Sequence, residues 1–434
     1  MTLAVRDDAV IWHPLTQHQI SPLPIPIVRG EGAYLMDAMG RRYLDLVSSW
    51  WVTLHGHAEP TIAKAIYEQA LKIEQVIFAG FTHEPAVKLA ENLLQLLPGD
   101  FTKIYYSDNG STAVEVALKM AYQYWRNQGE LKRSRFISFN NGYHGDTFGA
   151  MALSKESFYF RQFSDLLFSV DMFDYPGTWI ADENVEAREQ QILRELELHL
   201  EKHAHETAAL IIEPLVQGSG GMNMCRPVFL QQLTALVKSY DVLIIYDEIM
   251  TGFYRTGELF ACLKANTVPD IICFSKGLTG GFLPLSVTAC REPIYQAFLG
   301  SDFTKALGHS HSYTANPLGC AAALASLTLL QRVETRAQIK MIEQVHREEL
   351  MAFLDHPQTE KVRYCGTIAA FDLVLPADYG SQASVNLRAR FLKHGLIVRP
   401  LANIVYLLPP YCISETDLRH AYSIIRQEIE GATS

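Results

Sequence analysis

Two short apolar runs, each closing on an ionisable residue, constrain this chain more than any other feature. Val242-Leu243-Ile244-Ile245-Tyr246 ends in Asp247-Glu248, and Asp270-Ile271-Ile272-Cys273-Phe274-Ser275 ends in Lys276, with Gly277, Gly280 and Gly281 just beyond. Runs this apolar read as strands of a parallel sheet covered on both faces. Open α/β sheets keep their ligands outside the carboxyl ends of such strands, where Asp247 and Lys276 both stand. Alone, a strand-end aspartate is an ordinary helix cap and a lysine before glycine an ordinary turn residue. Delivered together to one sheet edge, an acid and an amine point to chemistry.

Pyridoxal phosphate is the cofactor that needs this pair. A lysine amine carries it covalently, and a carboxylate keeps its ring nitrogen protonated so that the ring can take up charge. The surrounding chain fits such a site. Strand and helix patterns alternate from about residue 100 to 280, the signature of a parallel α/β domain. Lys103-Ile104-Tyr105-Tyr106 reads as a strand, followed by a helix with Val114, Ala117, Leu118, Ala121, Tyr122 and Trp125 on one stripe. Gly110, Ser111 and Thr112 open that helix with N–H groups, hydroxyls and a positive dipole end, which suit a phosphate or form a plain N-cap. After the strand Arg135–Phe139, Tyr143 and His144 lie among glycines, where a tyrosine ring can stack on a flat cofactor or simply fill a loop. Ala208–Pro214 is the strand before that of Asp247, and it leads into the glycine loop Val216–Gly221.

The flanks differ in character. Pro14, Pro22, Pro24 and Pro26 predict an extended arm. Ala33–Asp37 and Arg42–Leu46 predict a hairpin. Ser48-Ser49-Trp50-Trp51 then offers either packing surface or an aromatic wall beside a ligand. Residues 181–206 predict an acidic, solvated covering helix. Near the C-terminus, Gly395–Pro400 and Val405–Pro410 predict strands. Arg399 is the only charge in its run, and its planar fork suits a substrate carboxylate. His55 with His57, and His309 with His311, have no adjacent carboxylate or cysteine and read as polar loops, not a metal site.

At 434 residues, 48% hydrophobic and 19% charged, the chain can bury a large core in two or three domains. A net charge of −10 argues against nucleic-acid and membrane partners. Seven scattered cysteines, no apolar leader and no 18-residue apolar run predict a cytoplasmic location.

With these residues assembled, the chain resembles the class III, fold-type I pyridoxal-phosphate-dependent aminotransferases along nearly its whole length. Tyr246–Gly257 and Ser275-Lys276-Gly277 are similar to the two central motifs of that class. Trp12-His13-Pro14, Ser48–Trp51, Asn141–Thr147, Arg399-Pro400 and Leu408–Tyr411 resemble its members in the biotin pathway, which aminate 8-amino-7-oxononanoate. The resemblance implies a mostly parallel sheet in a large domain (56–320) plus a small α+β domain, formed by 321–434 and joined by 1–55. Lys276 would carry the cofactor, Asp247 would pair with its ring nitrogen, and Tyr143 would join them in catalysis. Gly110 and Ser111 would hold the phosphate, completed by His311 and Ser312 of the partner subunit in a homodimer. Trp50, Trp51, Tyr143, Arg255, Ser310 and Arg399 would line the substrate site beside Lys276.

The amine donor stays open between S-adenosylmethionine and lysine. Leu15 stands where many members have tyrosine, and Ser310-His311-Ser312 stands where many have Gly-Pro-Thr. The His-Ser-Tyr-Thr wording resembles members that draw on lysine. Another ω-aminotransferase or a mutase of the same class are the nearest rivals. A cofactor-binding regulator would need a basic DNA-binding module, which the sequence lacks.

Overall fold

Seven strands between residues 101 and 291 form the sheet that carries the site. In the computed structural model, which describes residues 1–154, 158–375 and 381–430, they are β1 (Phe101–Ser107), β2 (Arg135–Phe139), β3 (Asp171–Phe173), β4 (Thr207–Ile212), β5 (Leu243–Asp247), β6 (Ile271–Phe274) and β7 (Ser286–Arg291). Their order is β1-β7-β6-β5-β4-β2-β3. Neighbours run parallel except at β7, which is antiparallel to both β6 and β1. One reversed strand in an otherwise parallel sheet was not legible from the sequence.

The central strands are apolar because each face meets a different core. Ile244, Tyr246, Ile272 and Phe274 pack into one hydrophobic cluster, while Ile245, Ile271 and Cys273 pack into another. Side chains alternate across a strand, so covering both faces requires an unbroken apolar run. Each such side chain contributes roughly 1.5–3 kcal/mol by leaving water. Helix α1 (Gly110–Asn127) covers one face through buried Val114, Ala117, Leu118, Ala121 and Trp125. The parallel register pairs Asp247 with Cys273, which leaves Lys276 three residues further along the neighbouring strand.

The chain ends are woven together. Leu396–Ile397 joins the sheet built by Ile27–Glu31, Tyr34–Asp37 and Arg42–Asp45, pairing Leu396 with Leu44 and Ile397 with Asp45. A second small sheet holds Thr359–Cys365, Ile368–Leu373 and Ile404–Leu407. Immediately after it, the Leu408 N–H donates to the Leu46 carbonyl and the Tyr411 N–H to that of Leu54.

Both C-terminal strands are shorter than predicted. Pro400, Pro409 and Pro410 lack the N–H that a ladder needs. Arg399 therefore stands just past its strand, half-buried. The helix expected over 181–206 runs from Val185 to His203, and it is not simply a solvated cover. Ile192, Leu196 and Leu200 are buried along it, and the buried Glu189 carboxylate pairs with Arg226. Among the described residues, no helix is long and apolar enough to cross a membrane.

Candidate active site

At the carboxyl ends of β4, β5 and β6 lies a cavity of about 430 Å³, walled by Lys276, Asp247, Glu213, Trp51, Tyr143 and the start of α1. Lys276 opens a short turn with its backbone at φ +46°, a left-handed conformation that costs a non-glycine residue on the order of 1–2 kcal/mol. Strain of this kind persists where surrounding contacts impose it. Here Ser275 donates to the Leu285 carbonyl at 2.9 Å, and a side chain on Gly277 would strike Leu54. The Lys276 amine sits 4.7 Å from the Trp51 ring centre. Burial lowers its affinity for a proton, opposed by the nearby Asp247 and Glu213 carboxyls.

Asp247 ends β5 with both oxygens engaged. Oδ1 accepts from the Ile249 N–H at 3.1 Å, and Oδ2 lies 2.7 Å from Nδ1 of His144. A carboxylate can only accept, so the hydrogen of that contact belongs to the imidazole. Glu213 ends the adjacent β4 run and ties two loops together. Its Oε1 accepts from the Tyr143 N–H and its Oε2 from the Gly218 N–H, each at 2.9 Å. Burial pushes its carboxyl up to about 7, eased by His144 and reinforced by Asp247.

The opposite wall is the N-terminus of α1. Asn109 caps it, its Oδ1 accepting from the Thr112 N–H at 3.1 Å. The first helical residues, Gly110 and Ser111, have N–H groups that the helix itself does not use. The loop after β2 crosses this point closely, and the Asp146 N–H donates to the Ser111 hydroxyl at 3.0 Å. Tyr143 borders the cavity, but its ring stacks on Phe160 with centroids 5.9 Å apart, and its hydroxyl donates to Asp146 at 2.9 Å.

The two tryptophans part company. Trp51 is 4% exposed and lines the cavity, its indole N–H donating to the Tyr406 hydroxyl at 3.0 Å. Trp50 is 42% exposed, with the Arg399 guanidinium 4.2 Å above its ring centre. Trp51 is thus both packed and part of the cavity wall, while Trp50 stands outside the cavity lining.

The profile of the family described as aminotransferase class-III matches residues 15–429. The chain belongs to the class-III aminotransferases. An adenosylmethionine-8-amino-7-oxononanoate aminotransferase of Synechococcus elongatus is 50% identical over 96% of this chain and 97% of that protein. One of the same name from Geobacter sulfurreducens is 38% identical, covering 100% of this chain and 98% of that protein. Among solved structures, the adenosylmethionine-8-amino-7-oxononanoate aminotransferase of Methanocaldococcus jannaschii gives a TM-score of 0.92 at 36% identity, covering 99% of this chain and 98% of that one. An omega transaminase of Pseudomonas jessenii, solved in complex with PMP, gives 0.93 at 27% identity over 100% and 98%. The α/β architecture described above is the fold-type I arrangement of these class-III transaminases.

Within this aminotransferase, the cavity gathers Lys276, Asp247, Gly110, Ser111, Tyr143 and Trp51. It does not gather Arg255. That residue was expected at the substrate site but is wholly buried, donating to the Pro409 and Thr53 carbonyls at 2.9 and 3.2 Å. Its fork clamps three chain segments together, and a run of sequence cannot show which carbonyls a side chain will meet. Ser310, His311 and Ser312 lie on a loop away from this subunit's cavity lining. Glu213, Met250 and Asp146 also line the cavity without having been singled out. Glu213 had a signal of the same kind as Asp247, an acid closing an apolar strand. The partnership of His144 with Asp247 had none, because it joins residues from different strand ends.

Proposed function

We propose that this class-III aminotransferase moves an amino group from S-adenosylmethionine to 8-amino-7-oxononanoate, giving 7,8-diaminononanoate in the biotin pathway. Pyridoxal phosphate is the cofactor of the class, and the cavity fits it. The buried Lys276 amine, the Asp247 carboxyl and the start of α1 surround one space of about 430 Å³, and that juxtaposition carries the reading. The relatives' names at 50% and 38% identity support the two substrates.

When bound, pyridoxal phosphate supplies an electron sink for charge developing on the substrate carbon. The remaining work belongs to the chain. Lys276 would hold the cofactor through Nζ. Burial disfavours its ammonium form, so Nζ, once free, would be able to take a proton from the substrate carbon. Asp247 would hold a proton on the ring nitrogen, with its carboxylate fixed by the His144 and Ile249 donors. Gly110 and Ser111 would hold the phosphate through N–H groups and a hydroxyl. Tyr143 and Met250 help close the space around the reacting atoms. Arg399, stacked on Trp50, would receive the acceptor's carboxylate, and Ser310, on the loop of His311 and Ser312, would complete the partner subunit's substrate site. The two half-reactions run in ping-pong order.

A homodimer completes this reading. Nε2 of His311 is buried without a hydrogen-bond partner in the single subunit, which suits His311 and Ser312 of the partner subunit reaching a phosphate. The Gln75 amide donates to the Ser312 carbonyl at 2.6 Å, and nearby Ile77, Phe81 and Tyr313 are exposed apolar surface for a second copy. The seven cysteines are all unpaired, as suits the cytoplasm.

Lysine as donor is the second reading, and one observation favours it. Asp146 places a carboxylate at the cavity rim, where a distal ammonium would find it. Against it, the buried indole of Trp51 gives the cavity wall an apolar surface that a slim aliphatic diamine would use poorly. Each amine alone should be mixed with the loaded enzyme and the cofactor absorbance followed. S-Adenosylmethionine should convert it at lower concentration than lysine; conversion by lysine alone would overturn the donor and leave the acceptor standing. Borohydride reduction beforehand should fix the cofactor on the Lys276 peptide, and a tag on any other lysine would remove the basis of the reading.

A further inference from the structure

We propose that Tyr406, on the C-terminal sheet, is a positioning residue that fixes the Trp51 indole as the seat of the Lys276 amine. The indole is held from three sides. Its N–H donates to the Tyr406 hydroxyl at 3.0 Å, with the two rings edge-on at 76°. At its far edge lies Gly218, where a side chain would fall 2.9 Å from Trp51 Cζ3 and 3.1 Å from the Met250 sulfur. Its backbone sits at φ +66°, following Ser48 and Ser49 at +51° and +60°. Three left-handed residues among four, Ser48, Ser49 and Trp51, with the last bearing the buried ring, mark a side chain whose orientation is imposed. The face so oriented lies 4.7 Å from the Lys276 amine.

Tyr406 brings this hold from far along the chain. It is buried on the strand Ile404–Leu407, where it pairs with Ala370. Packing alone would bury the indole; the hydroxyl adds a direction, because an indole N–H buried without a partner turns to find one. A ring face turned toward an ammonium attracts it, and a ring edge does not. The groups that face Lys276 otherwise are Asp247, Glu213 and Asp146, which favour its charged form, and Arg255, which opposes it. None of these is altered by removing the Tyr406 hydroxyl.

The inference rests on Lys276 as the cofactor-bearing amine and on neither substrate's identity. Its test is acylation of Lys276 across a range of pH in the full-length protein freed of cofactor, read by mass spectrometry of the Lys276 peptide. Phenylalanine offers a weaker ring face than indole and no N–H for Tyr406, so the labelling midpoint should fall by about 0.5–1 pH unit in Trp51→Phe. Tyr406→Phe should shift it in the same direction, and the double variant should match Trp51→Phe alone, as expected when one residue acts through the other. In the loaded enzyme, Tyr406→Phe should lower kcat by about tenfold with both KM values nearly unchanged. An unshifted midpoint in Tyr406→Phe, additive shifts in the double variant, or a raised KM with kcat retained would each overturn the proposal. Failure of the borohydride tag at Lys276 would instead count against the cofactor site, and this labelling reads independently of it.

Discussion

Asp247 is useful only as its neighbours leave it. The His144 imidazole and the Ile249 N–H hold its two oxygens, so the carboxyl enters the cavity already oriented. Asp247→Asn keeps the shape but removes the charge and presents an amide to the imidazole. Cofactor retention should survive while turnover falls on the order of 10²-fold or more, because a fixed charge aimed at developing charge is a large contribution. Near-normal turnover in single-turnover absorbance measurements would contradict this. Arg399 differs, being half-buried and resting on Trp50. Arg399→Ala should slow the half-reaction with 8-amino-7-oxononanoate by about 2–5 kcal/mol of barrier, as when one side of a charge pair is lost. The donor half-reaction should change far less. Equal damage to both, measured separately, would assign the arginine to the fold.

At the scale of elements, the site is a meeting of loop ends held by close approach. The loop after β2 passes the start of α1 at Gly145, whose φ of +126° belongs to glycine. A side chain there would lie 2.6 Å from Ser111 Cβ and 2.7 Å from its Cα. Gly145→Ala must therefore push the loop off the helix terminus proposed to hold the phosphate. Cofactor affinity, titrated by absorbance, should weaken at least about tenfold, in keeping with a local cost of roughly 1–3 kcal/mol. Retained affinity would mean that the loop can retreat without moving Ser111. Glu213 works at the same scale from the other side, bridging the Tyr143 and Gly218 loops with its two oxygens.

Over the whole molecule, buried carboxyls make stability depend on pH. Glu248 accepts from the Ala261 and Cys262 N–H groups at 2.7 and 2.8 Å and caps the helix they begin. Burial nevertheless raises its carboxyl from 4.5 to about 7. The folded state thus holds the proton more tightly than the unfolded state. This contribution to stability is complete below about pH 4.5, is lost as pH rises through about 7, and is flat above that. Relative to Glu248→Gln, whose amide does not titrate, the parent should lose on the order of 3 kcal/mol across that window. Urea unfolding of both proteins at about pH 5 and about pH 8 would show it, and parallel curves would refute it.

The sequence by itself determined the strands that bear the chemistry. Val242–Tyr246 and Ile271–Phe274 are apolar throughout because both faces are covered, and this pattern survives in any view of the chain. It also placed Lys276 and Asp247, since a residue closing such a strand has one exit. The antiparallel β7 escaped, because Ser286–Ala289 meets the same buried surface in either direction. Tertiary structure alone decided which side chains meet across distant segments. It joined Trp51 to Tyr406, His144 to Asp247, and Arg255 to the Pro409 and Thr53 carbonyls. The physical reason is that burial is a property of a periodic stretch, written locally. A hydrogen bond of 3 Å or so depends on how elements hundreds of residues apart come to rest against one another.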